Sequence, residues 1–239
     1  MSLCYFDYYH QLEEKLRIEE PLMLQAGTWI AKQINQGGRL QIYASRTLSG
    51  VAFEFWDQTP DLVPSILIEN PAGGVYETLE GAGQAIIDQL SVKSEDIFLL
   101  LSNEGRNPAI IELAQWIKEN GHPLIIVTGF DLSRSIKSQH SSGLRLFEFA
   151  DLVLDNHANL HDAVLTLPNL DPAICGTASL ATIFFAAASF VFYSKTASPG
   201  HKWKIVIHML TKFLKKIMFH IKMERLKKRK RLLMRINND

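Results

Sequence analysis

The sequence predicts an α/β fold: a three-layer αβα sandwich on a five-stranded parallel sheet, with a basic helix appended at the C-terminus. Three observations predict it. Short apolar runs alternate with helical segments along most of the chain. Three of those runs are continuously apolar, as strands covered on both faces require. The charges also divide the chain: residues 1–201 carry 12 Lys and Arg against 23 Asp and Glu, and residues 202–239 carry 13 against 2. The zero net charge of the 239 residues is therefore the sum of an acidic body, 1–201, and a basic tail, 202–239.

Taken in order, residues 10–36 place Leu12, Leu16, Leu22, Leu24, Trp29, Ile30 and Ile34 at roughly helical spacing, closed by Gly37 and Gly38 as a stop signal. Leu40 to Ala44 is the first strand. Further strands are expected at Val63 to Ile68, Ile97 to Leu101, Leu124 to Val127 and Leu152 to Leu154. The clearest helix is Asn107 to Asn120. Pro108 sits early, where its missing N–H does no harm, and Ile110, Ile111, Leu113, Ala114 and Ile117 form an apolar face before Gly121 ends it. Ile174 to Tyr193 carries no charge and is long enough to span a membrane. Its Gly176, Thr177, Ser179, Thr182 and Ser189 among alanines favour a helix buried against the sheet instead.

Composition excludes other classes. At 47% hydrophobic residues the chain is not disordered. Its two cysteines, Cys4 and Cys175, lie far apart in sequence and outside any Cys/His cluster, which argues against a disulfide framework or a zinc site. No positive segment precedes an apolar run at the N-terminus, so a cytoplasmic location is expected.

In a parallel sheet, ligands bind beyond the carboxyl ends of the strands, where loops lead into helix starts. The stretch Ser102-Asn103-Glu104-Gly105-Arg106-Asn107 leads from a strong strand into a strong helix. Ser102 and Asn107 offer hydrogen bonds, Gly105 permits a tight turn, and the helix start offers N–H groups to an anion, most naturally a phosphate. The same residues also fit a plain N-cap and turn.

These residues resemble the sugar isomerase (SIS) domain family. Its signature places Ser-x-Ser-Gly-x-Thr after a strand, then a helix ending in Lys-x-x-Gly before another strand. Here Ser102 to Asn107 is followed by Lys118-Glu119-Asn120-Gly121 and Ile125-Ile126-Val127-Thr128. His140-Ser141-Ser142-Gly143-Leu144-Arg145-Leu146 and Ala150-Asp151-Leu152-Val153-Leu154-Asp155-Asn156 are similar to a less characterised SIS group, whose members are labelled phosphosugar or phosphoheptose isomerases. The likeness runs from about Glu19 to Ala187.

The resemblance implies a dimer or tetramer holding a phosphorylated sugar at the carboxyl edge of the sheet. Ser102, Gly105 and Asn107 would hold the phosphate, with Thr128 nearby. Two departures stand out. The second Ser of the signature is Glu104, a carboxylate that needs a cation such as Arg106 beside a phosphate. The glycine-rich loop after the first strand is replaced by Ala44 to Gly50, where Ser45, Thr47 and Arg46 remain as donors and Arg46 can pair with phosphate.

Aldose–ketose isomerisation requires a base that moves a proton between adjacent carbons. Glu104 and His140 lead the candidates, which include Glu77, Glu80, His157 and His161. His157 and His161 are four apart but lack a third ligand, and no metal or cofactor is expected. The alternative is a non-catalytic SIS-fold regulator with an altered site. In the tail, residues 202–235 alternate apolar and basic positions like an amphipathic helix suited to an anionic membrane surface; nucleic acid is the least favoured partner, since no binding module accompanies the run.

Overall fold

The computed structural model describes residues 4–57, 63–167 and 170–196. The basic tail and its expected helix lie outside the described residues. Two helices come first, α1 (Cys4–Ile18) and α2 (Glu20–Asn35), where the sequence pattern reads as one. Pro21 accounts for the break. In the first turn of α2 its missing N–H is harmless, whereas inside a continuous helix it would leave the Arg17 carbonyl without a donor.

Strands β1 (Leu40–Ala44), β2 (Ser65–Leu67), β3 (Ile97–Leu101), β4 (Leu124–Thr128) and β5 (Leu152–Asp155) form one sheet in the order β2-β1-β3-β4-β5. Every neighbouring pair is parallel. Between them run α3 (Ser49–Asp57), α4 (Ala82–Ile87), α5 (Pro108–Glu119) and α6 (Phe130–Ser135). Strand β2 is shorter than its apolar run predicts, as an edge strand preceded by a proline tends to be.

The alternation of side chains explains the continuous apolar runs. Tyr43, Phe98, Leu100, Leu124 and Ile126 face one layer, packing with Ile86 of α4 and Ile110, Leu113 and Ile117 of α5. Leu99, Leu101, Ile125, Val127 and Leu154 face the other, meeting Ala26 and Ile30 of α2 and Val51 and Phe55 of α3. Both faces are covered by helices, so the central strands read as nearly continuous apolar runs.

The final helix, α7 (Ala178–Thr196), joins this second layer, with Thr182 and Phe185 buried against the sheet. No helix among the described residues is long and apolar enough to cross a membrane. The uncharged run beginning at Ile174 is not one helix, however. Ile174 closes a hairpin of β6 (Leu165–Leu167) and β7 (Leu170–Ile174), and Cys175 at φ +65° turns the chain into α7.

At the amino edge of the sheet a polar clamp fixes β1 against β3. The Asp96 carboxylate, fully buried, accepts the Arg39 N–H at 2.7 Å, the Arg39 guanidinium at 2.9 Å and the Gln41 amide at 2.8 Å. Burial alone would raise this carboxyl; the hydrogen bonds outweigh it and hold it below its ordinary value of 3.8.

Candidate functional site

The connection after β1 leads to one side of the sheet and that after β3 to the other, so the order β2-β1-β3-β4-β5 opens a crevice between their carboxyl ends. The register sets its walls. Ala44 pairs with Leu101, so the next residues, Ser45 and Ser102, are adjacent, and the Ser45 N–H donates to the Leu101 carbonyl at 2.9 Å. A cleft of about 500 Å³ lies here. Ser45 and Thr47 line it from the first loop, Ser102, Asn103, Glu104 and Asn107 from the second, and Glu77 from the segment before α4. Leu132, Asn159, Asp162 and Gly176 complete the wall.

Of the residues singled out in the sequence, the structure therefore brings together Ser45, Thr47, Glu77, Ser102, Glu104 and Asn107. Ser45 caps a 3-10 turn, Arg46–Leu48, by position only; its hydroxyl makes no cap hydrogen bond. Ser102 Oγ accepts the Gly105 N–H at 3.1 Å and keeps its own proton for donation. Asn107 precedes α5 with an extended backbone, but its side chain makes no cap bond either. The amide is thus not committed to the helix.

Other singled-out residues stand behind the cleft or away from it. Gly105, at φ +57°, makes the left-handed turn; a Cβ there would lie 3.0 Å from Ser133 Oγ and 3.1 Å from Leu146 Cβ. Its role is conformation and packing. Thr128 is fully buried and donates its hydroxyl proton to the Asn103 carbonyl at 3.1 Å, supporting the loop from beneath. Arg106 is not in the lining and holds Glu104 at 2.5 Å, the cation that the carboxylate requires. Arg46 is exposed outside the lining. His140 is absent from the lining as well: Nδ1 lies 2.7 Å from Ser142 Oγ, and Nε2 lies 3.8 Å from Glu112 on α5. His161 falls in the turn Leu160–Asp162.

The helix start offers fewer donors than the sequence reading expects. Pro108 has no N–H, and the N–H of Ala109 donates to the Glu77 carbonyl at 3.2 Å. On the facing loop, the Arg46 N–H donates to the Glu77 carboxylate at 2.9 Å. The N-terminus of α7 is filled too, because Asp162 Oδ1 accepts the N–H groups of Thr177 and Ala178 at 3.0 Å each. Gly176 makes room for that carboxylate, since any Cβ there would collide with Asp162. These backbone N–H groups are thus engaged within the protein, and the hydroxyls and amides of Ser45, Thr47, Ser102, Asn103 and Asn107 line the cleft.

Five further residues at or behind the cleft escape sequence reasoning. Asn103 and Asp162 belong to it through tertiary placement, and Asn156, fully buried at the end of β5, donates to Asn103 Oδ1 at 2.9 Å. Arg145, buried, donates to the Glu104 carbonyl at 2.6 Å and to Ser133 Oγ at 3.1 Å. Burial, then repulsion from Arg106, lowers its pKa from the usual guanidinium value. Tyr43 is buried in β1, its hydroxyl without a hydrogen-bond partner among the described residues; burial and then the Glu77 carboxylate raise its pKa.

Comparison with known proteins agrees with this architecture. The model of the SIS domain matches residues 4–129. The UPF0309 protein lmo0025 of Listeria monocytogenes is 42% identical over 184 residues, covering 77% of this chain and 79% of that protein. A UPF0309 protein of Geobacillus thermodenitrificans is 29% identical over 186 residues, covering 72% and 75%. Among solved structures, a phosphoheptose isomerase from Francisella tularensis superposes with a TM-score of 0.53 at 15% identity, covering 81% of this chain and 98% of that one. The phosphoheptose isomerase of Neisseria gonorrhoeae gives 0.53 at 12%, covering 80% and 96%. At such identities the structural likeness speaks for the fold. With a family model spanning residues 4–129 and a relative at 42% identity, the chain belongs to the SIS domain family, beside the UPF0309 proteins.

Proposed function

We propose that the cleft binds a phosphorylated sugar and supports aldose–ketose isomerisation. The observation that carries this reading is the meeting of Ser45, Thr47, Ser102 and Asn107 across from the Glu77 carboxylate at the carboxyl edge of the sheet. Hydroxyl and amide donors suit phosphate and sugar oxygens, and a carboxylate suits proton transfer between neighbouring carbons.

Of the three carboxylates in the lining, Glu77 is the best base. Asp162 accepts two N–H groups at the start of α7 and Glu104 is ion-paired with Arg106, whereas Glu77 accepts from the Arg46 N–H and from the Asn70 amide at 3.4 Å. In the forward direction Glu77 removes the proton from C2 of the aldose and returns it to C1, while a proton passes between O1 and O2. No electrons leave the sugar. Arg106 keeps Glu104 neutralised when the phosphate arrives.

The test is a thermal-shift panel of sugar phosphates followed by product analysis. A raised melting temperature that disappears in Ser102→Ala and Asn107→Ala supports binding, and ketose formed from aldose phosphate supports catalysis. A panel without any shift rejects the reading.

A second reading, a SIS-fold regulator that binds the sugar phosphate without turning it over, draws on the first loop, which replaces the family's glycine-rich pattern, and on the backbone N–H groups that Glu77 occupies. It requires the melting shift without ketose. In both readings residues 1–201 form the ligand-binding unit, as a cytoplasmic dimer or tetramer, and residues 202–235 contact an anionic membrane surface. Sedimentation and vesicle partitioning of full-length and tail-deleted protein test those assignments.

A further inference from the structure

The polar groups behind the cleft form a chain whose direction is fixed at both ends. Thr182 donates its hydroxyl proton to the Ala178 carbonyl at 2.8 Å, so toward Asn156 it can only accept. The Ala158 N–H can only donate, and it meets Asn156 Oδ1 at 3.1 Å. Asn156 must therefore turn its Nδ2 the other way, where it reaches Thr182 Oγ1 at 3.1 Å and Asn103 Oδ1 at 2.9 Å. These two bonds use both protons of the amide. The orientation of each amide follows from the network, because its neighbours admit one assignment.

We propose that Asn156 is a positioning residue that fixes the polarity of the Asn103 amide, so that Asn103 presents N–H donors alone to a ligand. The Asn103 backbone is immobilised as well: its carbonyl accepts the Gly129 N–H at 3.0 Å and the Thr128 hydroxyl at 3.1 Å. With Oδ1 engaged, Nδ2 is the remaining polar group of a side chain that lines the cleft, and it has no protein acceptor among the described residues.

The ligand chemistry follows. An amide free to rotate accepts or donates as the ligand demands; this one only donates, so the atom opposite must be an acceptor. A phosphate oxygen meets that condition, and so does the carbonyl oxygen that gathers negative charge as the enediolate forms. The identity of the ligand rests on the sugar-phosphate reading. The polarity of Asn103 does not. The device also places Thr182 of α7, far from the cleft lining, in the chain that sets ligand preference.

Titration of ribose 5-phosphate and inorganic phosphate into Asn103→Ala, Asn156→Ala and the double variant tests the inference. Each single substitution is expected to weaken ribose 5-phosphate binding by about 10-fold or more. The double variant is expected to bind no more weakly than Asn103→Ala alone, and its loss of melting temperature to fall short of the sum of the two single losses, since the two side chains share one hydrogen bond. Multiplying affinity losses overturn the inference, as does wild-type affinity in Asn156→Ala. Should Asn156→Ala fail to fold, Thr182→Val removes the same support at a partner of similar shape. It is expected to weaken binding in the native background and to have no effect beside Asn103→Ala. Wild-type protein that binds neither probe rejects the sugar-phosphate reading, and the polarity is then judged by the NMR order parameter of the Asn103 side-chain amide. A fall in Asn156→Ala or Thr182→Val upholds the inference; an unchanged value overturns it.

Discussion

The Glu77 carboxylate accepts the backbone N–H of Arg46 at 2.9 Å. Its own carbonyl accepts the N–H of Ala109 at 3.2 Å, so one residue ties the helix start after β1 to the helix start after β3. Truncating the side chain to alanine would release the first tie and leave the second. Glu77→Gln keeps an acceptor for Arg46 but removes the basic carboxylate. Turnover of sugar phosphate is expected to fall by roughly 100-fold or more while binding persists, measured by ketose formation and by calorimetry. Unchanged turnover removes Glu77 as the base.

Asn107 offers a contrast between stability and binding. An N-cap asparagine that bonds to its helix contributes about 1 kcal/mol, but the Asn107 side chain makes no such bond. Asn107→Ala is therefore expected to change unfolding free energy by less than that amount while weakening sugar-phosphate binding. Chemical denaturation and titration on the same sample separate the two effects.

Gly105→Ala is expected to destabilise the protein by about 1–2 kcal/mol, from the left-handed backbone and the crowding of Ser133 and Leu146. A denaturant midpoint at the wild-type value would show that the turn relaxes freely.

The amino-edge clamp sets an acid limit. Asp96 is held below its ordinary 3.8 in the folded chain, so its contribution is present above that value and lost as pH falls through the lower folded value. Asp96→Ala leaves the Arg39 guanidinium without its carboxylate and is expected to lower stability by about 3 kcal/mol at neutral pH. The loss should shrink as pH falls from 3.8, where the unfolded chain begins to take up the proton, through the lower folded value, where the native carboxylate does. Equal losses at neutral and acid pH would contradict the assignment.

Much of this fold was legible because the central strands are dry on both faces. Ile97 to Leu101 and Leu124 to Val127 read as strands without alternation, and the Asn107–Asn120 helix announced itself through Pro108 and its apolar face. The break at Pro21 and the hairpin ending at Ile174 were harder. Pro21 interrupts an apolar spacing that otherwise continues, and short strands with a proline, Pro172, carry little signal. At the cleft, the strand-end rule reached Ser102 and Asn107, and the family resemblance added Ser45 and Thr47. Neither gave a role to Asn156 or Asp162, whose contacts arise from loops that meet only in three dimensions. The resemblance also drew in Thr128, whose hydroxyl faces the backbone it supports.

The parallel pairing of β1 with β3 also governs when the cleft comes into being during folding. Ser45 and Ser102 sit in loops separated by a complete crossover that contains β2 and α4, and no local contact brings them together. Closing that span is slow relative to forming α5 or any single helix, so the cleft is a late product of the folding reaction. A nascent chain that has emerged only as far as Leu101 has one wall and no pocket. On the proposed function, capture of a sugar phosphate follows the joining of the central strands.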